Sequence, residues 1–190
     1  MNRSVAPGVV WHDTCPATWP QWAREWACSR GSLTRRLVAL GGGFAVQPWQ
    51  QGVARVRVGS RPVGAGHERV MRRRLVTLKV QGQAVVLAQT LMAVRGARSD
   101  WPFWNGLGNR SLGSMLFTNP AVRRGPLMFA SLPASTPWVL GLCKAQGLTT
   151  QGHERWYARC ARFELGRGVT PLWVMEVFLP CLGQFSQDIK

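Results

Sequence analysis

The sequence predicts an α+β fold, a single antiparallel sheet of about six strands with helices packed on one face. Three observations carry that expectation. Two β-rich runs, Val70 to Val80 and Ala84 to Val94, meet at Gln81-Gly82-Gln83, and two more, Arg155 to Leu165 and Leu172 to Leu179, meet at Gly166-Arg167-Gly168. Short apolar-rich runs joined by glycine-containing turns read as antiparallel hairpins. The helical patterns are few and short, which fits helices laid on an antiparallel sheet.

Taken in order, residues 1–19 form an irregular N-terminal arm, with Pro7, Gly8 and Pro16 in the arm and Pro20 just beyond it. Residues 20–190 form a single domain, as expected for a chain of 190 residues. Gln21 to Ala27 and Ser32 to Leu40 read as helices. Ser32 is placed as an N-cap, and Gly41-Gly42-Gly43 ends the second helix. Phe44 to Val58 reads as a strand in which Pro48 demands an edge or a bend. A loop from Gly59 to Gly66 leads into the first hairpin, and Arg95 to Trp104 is another loop. A short helix begins near Ser111. Ala121 to Leu132 reads as a strand interrupted at Pro126, and residues 133–153 as a mobile connection holding one helical turn. The second hairpin ends at Pro180.

Hydrophobic residues make up 46% of the chain and charged residues 17%, enough apolar material for a sizeable core. No uninterrupted apolar run reaches the ~18 residues of a membrane span, and Met1 to Gly8 lacks the apolar run of a signal peptide. The expected location is the cytoplasm. The five cysteines, Cys15, Cys28, Cys143, Cys160 and Cys181, are scattered and read as reduced thiols. No Cys-x-x-Cys occurs, and His12, His67 and His153 stand far apart, so no metal site is expected.

The net charge of +16 directs attention to anions, whether nucleic acid, an acidic membrane surface or a small metabolite. The arginines are spread along the chain, and Arg72-Arg73-Arg74 is the longest run. The tryptophans do not interleave with them in a base-stacking pattern, so no specific nucleic-acid partner is expected. The Gly-x-Gly-x-x-Gly fingerprint fails because Ser111 stands where its third glycine would be, and no P-loop occurs. Three isolated histidines supply no catalytic triad.

Glu176 lies alone within Leu172-Trp173-Val174-Met175-Glu176-Val177-Phe178-Leu179. Burying a carboxylate there costs several kcal/mol unless it is paired or protonated. Either it faces water on a wet sheet face, or it points into a ligand cavity opposite arginines. Arg72 and Arg74, two apart on a strand, share one face. They are either solvated or a forked grip for a carboxylate. In Leu107-Gly108-Asn109-Arg110-Ser111-Leu112-Gly113 the glycines permit close approach of backbone to a ligand.

These features, in this order, resemble the chorismate lyase family. The carrying segments are Gly31 to Leu37, Arg74 to Thr90, Leu107 to Phe117, Tyr157 to Arg162, and Met175-Glu176-Val177-Phe178-Leu179-Pro180. The resemblance covers roughly residues 20–182 and implies a chorismate lyase-like catalytic domain with a closed site and no cofactor. It implies a carbon–oxygen lyase that splits chorismate into 4-hydroxybenzoate and pyruvate, the first committed step of ubiquinone biosynthesis. By resemblance, Glu176 matches the essential glutamate and Arg74 the arginine that grips a substrate carboxylate, with Arg72 the alternative if the register slips. Leu112 matches a residue whose backbone contacts the ligand, and Leu33 falls where the family often has methionine. Gln89 departs from the pattern, standing where a second active-site arginine is expected. Either Gln89 donates a neutral hydrogen bond to the ligand, or Arg72 or Arg159 takes the arginine's place.

The expected partners are the substrate chorismate and the product 4-hydroxybenzoate, bound to a monomer. The alternative is a non-catalytic small-anion or effector-binding module of related fold, as in transcription regulators. The lack of a helix-turn-helix segment upstream speaks against it.

Overall fold

The computed structural model describes residues 9–58, 67–94, 100–148, 155–166 and 170–185. The Gly59–Gly66 loop, His153 and the turn residues Arg167 and Gly168 lie outside the described residues.

The first hairpin follows from its turn. Gln81 (φ 51°) and Gly82 (φ 75°) both occupy the left-handed region, and Val80 pairs with Gln83. Two positive φ angles in a two-residue loop give the backbone twist that matches antiparallel strands. The turn joins β2 (His67–Val80) to β3 (Gln83–Ala93). On its other side β2 pairs with β1 (Phe44–Val58), whose register shifts between Pro48 and Gln50. As expected of a strand containing proline, β1 lies at the sheet edge. The sheet continues from β3 to β7 (Leu172–Phe178) and β6 (Arg155–Leu165), and β6 also pairs with β4 (Val122–Arg124) and β5 (Met128–Pro133). All pairings are antiparallel. The fold is α+β with a seven-stranded sheet. The seventh strand arises because Pro126 separates β4 from β5.

Side chains alternate between the two sheet faces, so each pairing row belongs to one face. One row runs Val76, Ala88, Glu176, Arg159, and the next in step runs Arg74, Thr90, Val174, Ala161. Over this face lie α1 (Gln21–Ala27) and α2 (Leu33–Ala39), through Ala23, Trp26, Leu33 and Leu37. The N-cap expectation holds, since the Ser32 hydroxyl accepts from the Arg35 N–H at 3.3 Å. Gly41, Gly42 and Gly43 all take positive φ and turn the chain into β1. α3 (Leu112–Thr118) covers the far end of the same face, where Leu112 and Leu116 pack with Trp101, Trp104 and Phe163. Complete burial of a side chain such as Leu37 contributes about 1.5–3 kcal/mol.

The fourth helix was not foreseen at its true length. α4 (Pro137–Ala145) occupies most of the stretch read as a mobile connection with one helical turn. Pro137 opens it, where a missing N–H costs nothing. At its end Gly147 (φ 65°) donates to the Lys144 carbonyl and Leu148 to the Cys143 carbonyl, a Schellman closure. α4 packs Val139, Leu142 and Cys143 onto the opposite sheet face, against Leu75, Leu87 and Val177. Among the described residues, α1, α2 and α3 therefore share one face and α4 covers the other.

The cysteines also depart from expectation. Cys15 and Cys28 form a disulfide that ties the N-terminal arm to the end of α1. Cys143, Cys160 and Cys181 are free. A 13-residue separation without a motif gives no pairing information in the sequence. Among the described residues no helix is long and apolar enough to cross a membrane.

Candidate functional site

A cavity lies between the sheet and helices α2 and α3, and the charged groups within it come from four strands. β2 supplies Arg74, β7 Glu176, β6 Arg159 and β4 Arg124.

Glu176 and Arg159 are direct partners across the second hairpin. The Arg159 Nε donates to Glu176 Oε2 at 2.6 Å, and its Nη1 donates to the carbonyls of Ser29 at 2.8 Å and Ala27 at 3.2 Å. Arg159 is 3% exposed and the Glu176 side chain 18%, so the arginine is packed away and the carboxylate retains a path to the cavity. Glu176 faces the cavity, and its opposite charge is Arg159.

Arg74 is 2% exposed and has no carboxylate partner among the described residues. Its Nη2 donates to the Gly108 carbonyl at 2.7 Å and the Arg110 carbonyl at 3.3 Å, while its Nε is buried without a partner. Burial lowers its pKa from the usual arginine value. A buried cation held by neutral carbonyls, with a donor to spare, is suited to an anionic ligand. The glycine segment thus acts first on Arg74: Gly108 adopts φ 48°, and its carbonyl fixes the guanidinium.

Leu33 and Leu112 begin α2 and α3, and both line the cavity. Beside them the Thr34 and Ser111 hydroxyls stand 2.7 Å apart. Gly113 makes that approach possible, because a Cβ there would lie 2.5 Å from Thr34 Oγ1.

Two expected site residues stand elsewhere. Gln89 pairs with Leu75 and Met175, the row that faces α4. It is buried at 4% exposure and points away from Glu176 and Arg74. The expectation that Gln89 faces the ligand is therefore corrected, and its neighbours Ala88 and Thr90 line the cavity instead. Arg72 shares the sheet face of Arg74 but lies outside the cavity, where its Nη1 donates to Asn105 Oδ1 at 3.3 Å.

Arg124 was missed. It lies half-buried on a three-residue strand, donates to the carbonyls of Arg30 and Gly31, and sits over the Phe117 ring at 5.4 Å. Burial lowers its pKa, Arg159 lowers it further, and Glu176 acts in the opposite sense. Thr34 was missed too, since a lone hydroxyl in a helix pattern carries no sequence signal. The three arginines and one glutamate lining the cavity leave it with two net positive charges, three minus one.

Comparison with known proteins identifies the family. Residues 8–189 match the family model described as chorismate lyase. A protein of Cupriavidus pinatubonensis named "Probable chorismate pyruvate-lyase" is 39% identical, covering 96% of this chain and 94% of that protein. Its namesake from Ralstonia nicotianae is 38% identical, over 95% of this chain and 93% of that protein. The one from Nitrosomonas eutropha is 35% identical, over 94% and 97%. Among solved structures, the effector domain of PhnF from Mycobacterium smegmatis overlays with a TM-score of 0.48 at 13% identity, over 80% of this chain and 91% of that one. That likeness is too loose to carry an argument. Near-complete coverage by the family model and by relatives of this identity places the chain in the chorismate lyase family.

Proposed function

We propose that this protein is a chorismate pyruvate-lyase, an enzyme that converts chorismate to 4-hydroxybenzoate and pyruvate. The observation that carries the reading is the Arg159–Glu176 pair facing one cavity with Arg74 and Arg124. A site with two net positive charges complements a substrate with two carboxylates.

The reaction breaks the bond between the ring and the ether oxygen of the enolpyruvyl group and removes the hydrogen on ring C4. Those electrons complete the aromatic ring. The departing enolpyruvate takes up a proton on its terminal carbon and becomes pyruvate. Much of the driving force resides in aromatisation, so the protein's tasks are to clamp the anion, exclude water and handle one proton. Arg74 holds the ring carboxylate with the donor that its carbonyl partners leave unused. Glu176, paired with Arg159, enters as a carboxylate and accepts the C4 proton. Leu33, Leu112 and the apolar floor at Val76 and Ala88 keep water out and strengthen the charged contacts.

No cofactor enters these steps. The reading takes the enzyme as a monomer acting in the cytoplasm, where chorismate is available. In the family's pathway the product feeds ubiquinone biosynthesis.

Incubation of the purified protein with chorismate, with chromatographic detection of 4-hydroxybenzoate and pyruvate, tests the reading. Equimolar formation of both is expected. Tight 4-hydroxybenzoate binding without turnover would favour the non-catalytic module instead.

A further inference from the structure

Resting on the lyase reading, we propose that Arg124 forms a second carboxylate subsite, which takes the enolpyruvyl carboxylate of chorismate opposite the ring carboxylate held by Arg74. Chorismate carries its two carboxylates on different parts of the molecule, so one guanidinium cannot serve both in forked geometry. Of the three arginines lining the cavity, Arg159 is committed: its Nε holds Glu176 and its Nη1 holds two carbonyls of the α1 end. Arg74 stands on β2 and Arg124 on β4, with β3, β7 and β6 between them. They form opposite walls of the cavity, with Glu176 on the floor between.

The Arg124 guanidinium is prepared for an anion. Carbonyls of Arg30 and Gly31, in the link between α1 and α2, fix its orientation, and the Phe117 ring supports it from below. It has no carboxylate partner among the described residues. It also lies within electrostatic reach of the reacting pair, because Arg159 and Glu176 both perturb its ionisation. Gln89 points to the other face and cannot supply this contact, and Arg72 lies outside the cavity. Arg124 therefore supplies the second positive charge that the sequence pattern lacks at Gln89, from a different strand.

The substrate and product differ in the group at issue: chorismate has both carboxylates and 4-hydroxybenzoate only the ring carboxylate. The test measures the chorismate KM and the 4-hydroxybenzoate inhibition constant for the native enzyme, Arg124→Met, Arg124→Lys and Arg74→Ala. Methionine retains an apolar stem over Phe117 without the charge. Arg124→Met is expected to raise the chorismate KM about tenfold or more while changing the inhibition constant less than about twofold, the asymmetry expected of a contact made to the substrate alone. Arg124→Lys retains part of the affinity, and Arg74→Ala weakens both ligands. Equal change in both constants for Arg124→Met, or change in neither, overturns the subsite. Absence of turnover in the native enzyme overturns the lyase reading instead. If Arg124→Met does not fold, the native enzyme decides with two inhibitors, 4-hydroxybenzoates bearing a 3-ether side chain that ends in a carboxylate or a carboxamide. Binding about tenfold tighter for the carboxylate supports the subsite, and equal binding overturns it.

Discussion

Under α1, α2 and α3, strands β2, β7 and β6 present Arg74, Glu176 and Arg159, whereas under α4 the next residues of the same strands present Leu75, Met175 and Cys160. One step along each strand separates a cavity with two net positive charges from an apolar layer. Both faces are closed by helices, so burial alone does not distinguish them. The difference lies in how polar groups are satisfied. On the cavity face, backbone carbonyls of Ala27, Ser29 and Gly108 hold guanidiniums in place and leave part of their capacity for a ligand. On the α4 face, Thr77 accepts hydrogen bonds from Trp49 and Gln146, so its hydroxyl is used within the fold. The chemistry follows from leaving a few buried donors incompletely paired, at a cost that a fully packed core avoids.

The largest effect is expected at Glu176. Glu176→Gln keeps the shape and lets the amide oxygen accept from Arg159, but removes the proton acceptor. Turnover should fall by about 100- to 10,000-fold, the range for loss of a general acid or base, with the far-ultraviolet circular dichroism spectrum unchanged. Near-native turnover in a folded variant would remove Glu176 from the reaction.

Gln89→Arg probes the opposite face. A ligand-facing position would accept the new arginine and bind chorismate more tightly. Gln89 instead points into the layer with Leu75 and Met175, where an unpaired guanidinium costs several kcal/mol. The variant should melt well below the native protein and show no gain in 4-hydroxybenzoate affinity. A gain in affinity at native stability would reverse the face assigned to this row.

This position also marks where the sequence stopped being legible. Gln81-Gly82-Gln83 located the first hairpin, Pro48 the edge strand and Ser32 a helix cap, because each is local chemistry with few solutions. Glu176 stood out because a carboxylate in an apolar strand requires a partner. The partner's identity depends on register across the second hairpin, whose turn does not fix the count. Gln89 and Thr90 differ by one residue, and that step exchanges the faces. Arg124 sits on a three-residue strand with no periodicity to read. α4 was hidden because Pro137 and Gly141 suggest a loop in isolation, although proline at a helix start is favourable.

Arg74 and Arg72 sharpen the comparison within the cavity face. Arg74→Ala should weaken both chorismate and 4-hydroxybenzoate by ~2–4 kcal/mol, the scale for truncating one partner of a buried charge contact. Arg74→Lys should recover only part, since an ammonium cannot reproduce the fork. Arg72→Ala removes only a hydrogen bond to Asn105 outside the cavity. Its effect on either ligand should stay below about threefold. The reverse order of severity, read by titration of 4-hydroxybenzoate, would shift the anion grip by one pleat.

The smallest effect on catalysis is expected at the disulfide, and it should again separate the faces. Cys28 lies between Ala27 and Ser29, whose carbonyls hold Arg159, and its partner Cys15 anchors the N-terminal arm. The free thiols Cys143 and Cys160 belong to the α4 layer, where burial pushes both pKa values up and keeps them protonated and unreactive at neutral pH. Reduction should therefore act on the cavity face alone. Closing a short loop stabilises a fold by about 2–3 kcal/mol, so Cys28→Ser should lower the melting temperature by that equivalent. It should also raise the chorismate KM by no more than about twofold, because Arg159 retains Glu176 while its carbonyl supports loosen. Thiol counting in denaturant checks the premise: of five cysteines, the bonded pair leaves three reactive before reduction and five after it. Five reactive thiols without reductant would mean that the α1 end is held by packing alone, and Cys28→Ser should then leave both melting temperature and KM unchanged.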